Sequence, residues 1–174
     1  MENGTPRVIT ALRLKRPLAW HGSTEVNHID RGGELYLIGG VSGSGKSTLA
    51  ESLRSTSDHP GFTVCADEYM VDEHGLYHFD PTRLELVHLQ CVERVARLMR
   101  VLKRSGARIF VHNTFLDQSE WRPYLELAER YGWRAHVLMV LNHHGGKSSH
   151  DVPAPALERQ GSRLKRLIKE ILRK

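Results

Sequence analysis

The residues best equipped by type and spacing to do chemistry are Gly40-Val41-Ser42-Gly43-Ser44-Gly45-Lys46-Ser47, followed by Thr48. They satisfy the pattern G-x-x-x-x-G-K-[ST] at every fixed position. Glycine at 43 and 45 lets the backbone take dihedrals and a close approach that other residues resist. Amide groups of such a loop, continued by a helix N-terminus, can surround one anion. Ser42, Ser44 and Thr48 fall within the same cradle. Lys46 would reach the β- and γ-phosphates, and the Ser47 hydroxyl would ligate Mg²⁺. The stretch therefore predicts binding of a nucleoside triphosphate.

A second set of residues could act on those phosphates. Transfer to a hydroxyl needs a carboxylate that orients the acceptor and takes its proton. Asp67, following the next apolar stretch, is the candidate base and a candidate Mg²⁺ ligand, with Glu68 beside it. His112-Asn113-Thr114 stands where many phosphate-loop proteins carry a metal-holding aspartate. Histidine cannot supply that charge, so His112 is expected to contact the acceptor or to be structural. The segment His143-His144-Gly145-Gly146-Lys147-Ser148-Ser149-His150 reads as a mobile lid, with Lys147 placed to neutralise charge on a transferred phosphoryl group. A metal site of His143, His144 and His150 competes with that reading but lacks a Cys or acidic partner at ligand spacing.

These residues must be positioned by a regular scaffold. Leu35-Tyr36-Leu37-Ile38, Phe62-Thr63-Val64-Cys65-Ala66, Arg108-Ile109-Phe110-Val111-His112 and residues 135–141 read as short strands. Between them lie helical stretches from Lys46 to about Arg54, from Asp80-Pro81 to before Gly106, and from Ser119 to before Gly132. Asp80 as N-cap with Pro81 at the first position is a strong helix start. Asp117 is an alternative cap for the third helix. Ser119 is favoured because it places Pro123 in the first turn. On the second helix Leu84, Val87, Cys91, Val95, Leu98 and Leu102 share one face. A last helix begins near Pro153 or Pro155, with Leu164, Leu167, Ile168, Ile171 and Leu172 as its apolar stripe. Strands alternating with helices predict an α/β domain of three layers, a parallel sheet with helices on both faces. Ligands of such sheets sit beyond the carboxyl ends of the strands, where the candidate residues fall.

Residues 1–34 are read as an N-terminal extension, with 8–14 as an added edge strand or hairpin and Arg31-Gly32-Gly33 as a turn. The stretch containing Trp20, His21 and His28 shows no periodicity. Residues 35–174 form the main domain, with the lid at about 142–152. From Leu157 to Lys174, seven basic residues face two acidic ones, so this tail carries the whole formal charge of +5. Such a stripe suits a polyanion or a solvated helix face. No apolar run is long enough to span a bilayer, so no membrane partner is expected. Cys65 and Cys91 read as buried free thiols, which suggests a reducing, cytoplasmic compartment.

The phosphate loop, Asp67-Glu68-Tyr69, Phe110-Val111-His112-Asn113-Thr114, and Val152-Pro153 followed by Arg159 and Arg163 occur in an order that resembles phage-type polynucleotide 5′-kinases. Phage kinases of 5-hydroxymethyluracil in DNA are similar in general plan. The resemblance spans roughly residues 35–165. It implies a P-loop kinase fold with a short lid and ATP-Mg²⁺ as donor. It further implies a nucleic-acid hydroxyl as acceptor, DNA rather than RNA: a 5′ end or a hydroxymethylated base. A phage origin would put the protein in a host's cytoplasm. The implied site has Asp67 as base, Lys46 and Ser47 at the phosphates, Lys147 on the lid, and Glu68, His112, Asn113, Arg159 and Arg163 toward substrate. Two positions depart from the pattern: His112 replaces an aspartate, and Met70 replaces an arginine that contacts substrate phosphate. Alternatives are a kinase of a small metabolite or antibiotic, and a nucleotide-binding module without catalysis.

Overall fold

A computed structural model describes residues 8–13, 32–103, 105–142, 145, 147, 150 and 152–173. The stretch around Trp20, His21 and His28 lies outside the described residues, as do Arg31 of the expected turn and His143, His144, Gly146, Ser148, Ser149 and Asp151 of the expected lid. Five strands make one sheet: β1 (Val8–Arg13), β2 (Glu34–Gly40), β3 (Gly61–Val64), β4 (Arg108–His112) and β5 (Arg134–Val140). Their spatial order is β1-β5-β2-β4-β3. The last four run parallel, with Ile38 opposite both His112 and Leu138. At the edge, β1 runs antiparallel to β5, so the sheet departs from the expected all-parallel arrangement there.

The helices are α1 (Lys46–Ser55), α2 (Leu84–Val101), α3 (Gln118–Tyr131) and α4 (Ala154–Leu172). The period of two along each strand sorts their contacts. Leu35, Leu37, Ile109, Val111, Val137 and Met139 share a core with Cys91, Val95 and Met99 of α2, Trp121 and Tyr124 of α3, and Leu164 and Leu167 of α4. Their neighbours Ile38, Phe110, Leu138 and Val140 point the other way and meet Ala50 of α1. Both strand faces are apolar because both are covered, as a parallel sheet requires. Each fully buried Leu, Ile or Val contributes about 1.5–3 kcal/mol relative to exposure.

Helix ends follow their capping chemistry, with three corrections to the expected pattern. Asp80 caps a short 3₁₀ turn, Pro81–Arg83, by accepting from the Thr82 amide at 2.9 Å, and α2 proper begins only at Leu84. For α3 the cap is Asp117, not Ser119: its extended backbone lets the carboxylate accept from the Ser119 amide at 2.9 Å and its hydroxyl at 2.8 Å. Pro123 therefore lies inside the helix, past the first turn. The amide it lacks would have bonded the carbonyl of Ser119, and Ser119 is exposed, so water can take that carbonyl. Gly132, at φ 70°, ends α3 as expected. Leu172 is the third correction, because it is 71% exposed at the far end of α4 and does not join the buried stripe.

Candidate active site

The loop from β2 to α1 is shaped by contacts that exclude larger residues. A Cβ on Gly40, whose φ is +153°, would sit 2.4 Å from the Val140 carbonyl oxygen and 2.7 Å from Ser44 Oγ. Gly43 (φ 80°) and Gly45 (φ 90°) adopt left-handed backbone, and Gly45 is the N-cap of α1. No side chain caps α1, which leaves its first-turn amides for a ligand. Ser44 is buried, and Ser47 and Thr48 are exposed at the start of α1. The Ser42 amide is held at 2.8 Å by the carboxamide oxygen of Gln160 on α4. Glycine backbone, open amides and a neighbouring cation fit a triphosphate, so Gly40, Ser42, Gly43, Ser44, Gly45, Lys46, Ser47 and Thr48 are the residues that would hold it.

That cation is Lys46, whose Nζ donates to the Val41 carbonyl at 2.9 Å. Burial pushes its pKa down to about 8, against the opposing pull of Asp67 and Cys65. A desolvated ammonium with one neutral partner gains from a phosphate oxygen. His112, at the end of β4, brings Nδ1 to 3.5 Å from Ser47 Oγ. Burial lowers its pKa below the ordinary value; Lys46 adds to this, while Glu68 and Asp67 oppose it. The neutral imidazole is thus favoured, and no carboxylate stands at this position.

Asp67 and Glu68 sit on a 3₁₀ turn, Ala66–Tyr69, that follows β3. Asn113, only 5% exposed, anchors this turn by accepting from the Ala66 amide at 2.8 Å. Its side chain ties β4 to the acidic turn. Glu68 is ion-paired with Arg94 of α2. Met70 is buried, so the position where the resemblance puts an arginine faces the core. Arg94 supplies a cation nearby, but one already engaged with Glu68. Asp67 remains half exposed; its carboxylate meets the Tyr77 hydroxyl at 3.4 Å and His150 Nε2 at 3.5 Å.

The structure thus gathers Lys46, Ser47, Asp67, Glu68 and His112 beyond the carboxyl ends of β2, β3 and β4, with Asn113 beneath them. Lys147 is exposed and outside this contact network. Arg159 and Arg163 line a shallow groove on α4 with Pro155, Glu158 and Ser162. Arg163 also pairs with Glu120 of α3 at 3.1 Å. Of the competing metal trio His143, His144 and His150, the described residues include His150. Ser47 and Asp67 are the groups present that suit a hard divalent cation, since both offer oxygen. Tyr77, Arg94 and Gln160 were not apparent from sequence. Each lies 10 to 118 residues from its partner in the chain with no spacing rule to link them, although the aromatic run Tyr77-His78-Phe79 beside an acidic pair was a signal available for the first.

A four-stranded parallel sheet with helices on both faces and this loop define a P-loop kinase-like domain. The chain belongs to the AAA_33 family of AAA domains, which it matches over residues 35–144. Among solved structures it is similar to a chain of the Pnkp1/Rnl/Hen1 RNA repair complex. The TM-score is 0.61 and the identity 18%, over 83% of this chain and 48% of that one. A second Pnkp1/Rnl/Hen1 structure matches with TM-score 0.51 and 19% identity, over 77% of this chain and 40% of that one. APS kinase CysC of Mycobacterium tuberculosis matches with TM-score 0.48 and 12% identity, over 80% of this chain and 99% of that one. The chain spans about half the length of the RNA repair chain it resembles. No described helix is long and apolar enough to cross a membrane.

Proposed function

We propose that this protein transfers the γ-phosphoryl group of ATP to a hydroxyl of a nucleic acid, with Asp67 as general base. The observation that carries the reading is the placement of a half-exposed carboxylate, Asp67, at the end of β3 on the same rim of the sheet as the Lys46 ammonium at the end of β2, whose charge it favours against burial. Lys46 would hold the phosphate that moves and Asp67 the hydroxyl that attacks. The acceptor oxygen forms the new P–O bond as its proton passes to Asp67, and the bond to the ADP oxygen breaks. Ser47 and Asp67 would hold Mg²⁺, which when bound neutralises charge on the phosphates.

A nucleic-acid acceptor is supported by the basic α4, whose first turns are tied to the phosphate loop through Gln160 and present Arg159 and Arg163. Similarity to a chain of an RNA repair complex agrees with this. The test is incubation with γ-labelled ATP and Mg²⁺ against 5′-hydroxyl DNA, 5′-hydroxyl RNA, hydroxymethyluracil-containing DNA and no acceptor. Label is expected on a polymer, with DNA ahead of RNA. No labelled polymer in any lane would overturn the proposal. His112 beside Ser47, where an acid is common, favours one other reading, a nucleotide binder without catalysis. That reading predicts ATP binding with no transfer to polymer or water.

A further inference from the structure

The 3₁₀ turn alone does not fix the Asp67 carboxylate, because the residue is half exposed and bonds nothing on its own turn through its side chain. Its two oxygens instead meet two rings. Tyr77 brings its hydroxyl to 3.4 Å from Oδ1, and His150 brings Nε2 to 3.5 Å from Oδ2. The rings stack on each other with centroids 3.7 Å apart and planes 23° from parallel. Neither ring adjoins Asp67 in sequence, and the two come from stretches 73 residues apart.

Tyr77 is held by a small closed loop. Asp72 Oδ1 accepts from the His74 and Leu76 amides, each at 2.9 Å, and the Asp72 amide donates to the Leu76 carbonyl at 2.9 Å. Val71 and Tyr77 then form an antiparallel bridge, and the His78 amide donates to the Met70 carbonyl at 2.7 Å. Gly75, at φ 81°, turns the loop. This network fixes the tyrosine before any ligand arrives, and the stack carries that order to His150. A chance surface contact would need no such framework. Burial and then Asp67 push the Tyr77 pKa up to about 12, so the phenol keeps its proton and donates.

Resting on the assignment of Asp67 as base, the geometry points to Tyr77 and His150 as positioning residues that hold its two carboxylate oxygens in the orientation needed to receive the acceptor proton. A base that swings freely loses the alignment on which proton transfer depends. The two contacts are long, and contacts of this kind tighten when substrates enter.

Substitutions separate donor from ring. Tyr77→Phe and His150→Phe keep a stacked pair and remove one donor each. His150→Gln keeps an N–H donor and loses the imidazole. Steady-state kinetics use the polymer that accepts label. Each Phe variant is expected to lower kcat about tenfold with KM for ATP and acceptor within about twofold. His150→Gln is expected to retain at least about half of wild-type kcat. In an Asp67→Asn background, Tyr77→Phe should cost nothing further, since there is no base left to align. If Asp67→Asn abolishes turnover while both Phe variants stay within about twofold of wild-type kcat, the positioning proposal is overturned and the base assignment stands. If the Phe variants raise acceptor KM alone, the rings bind acceptor and the proposal is again overturned. If Asp67→Asn keeps wild-type kcat, the base assignment itself fails, and the proposal with it.

Discussion

At the phosphate loop most groups offered to a ligand are backbone amides, set by three glycines with positive φ and by the N-terminus of α1, with Lys46 and Ser47 beside them in the same short stretch. Around Asp67 they are side chains drawn from separate stretches: Tyr77, His150, and Arg94 through Glu68. The proposed donor end is thus written in local backbone geometry, and the proposed acceptor end in long-range side-chain contacts. Backbone amides can recognise phosphate wherever the loop recurs, since phosphate is the same in every nucleotide. An acceptor hydroxyl is specified by its surroundings, which only side chains can vary. The contrast sets a cradle built from local backbone beside a carboxylate whose neighbours come from distant stretches of the chain.

The comparison can be broken most decisively at Asp67. Asp67→Asn should lower kcat by about 10²–10⁴-fold while ATP affinity changes less than about twofold, read by kinetics and direct nucleotide binding. A large loss of ATP binding would show that the two ends are not separable. At the donor end, Gly40→Ala places a methyl group against the Val140 carbonyl at 2.4 Å. ATP affinity should fall by at least about tenfold with the Tyr77–His150–Asp67 contacts intact in its crystal structure.

Asn113 ties β4 to the acidic turn, so Asn113→Ala should destabilise the fold by about 1–3 kcal/mol, visible as a lower denaturant midpoint. It frees a backbone amide, that of Ala66, from a buried partner. The smallest effect concerns protons. Lys46 in the free protein has its pKa pushed to about 8 from 10.5, so it is mostly neutral at pH 9, and phosphate binding must recharge it. Calorimetry in buffers of different ionisation enthalpy should give uptake of about 0.9 proton at pH 9 and about 0.1 at pH 7. The same shift means the unfolded chain binds more protons between pH 8 and 10.5, so this group's contribution to stability rises with pH across that window.

What sequence could reveal follows the same division. The glycines of the phosphate loop, the strand ends at Ile38 and His112, and Gly132 closing α3 are local features, and spacing exposes them. Asp67 and Lys46 could be placed on one rim because a parallel sheet puts all its carboxyl ends there. Tyr77, Gln160 and Arg94 could not, because their contacts depend on how separate elements pack. The cap of α3 was misjudged by demanding a first-turn proline, where an exposed helix side tolerates one deeper. Leu172 followed the apolar period but extends beyond the surface that α4 covers.

The antiparallel edge strand carries a consequence for the order of assembly. β1 precedes the other described strands, yet its partner is β5, the last of them. Among the described residues β5 is its hydrogen-bonded neighbour, so that pairing waits until the parallel core exists. Closing so long a loop before β5 is in place would cost entropy without any contact to offset it. During synthesis β1 is therefore made well before the strand that seats it. Until it docks, β5 presents a free row of amides and carbonyls to any other extended chain.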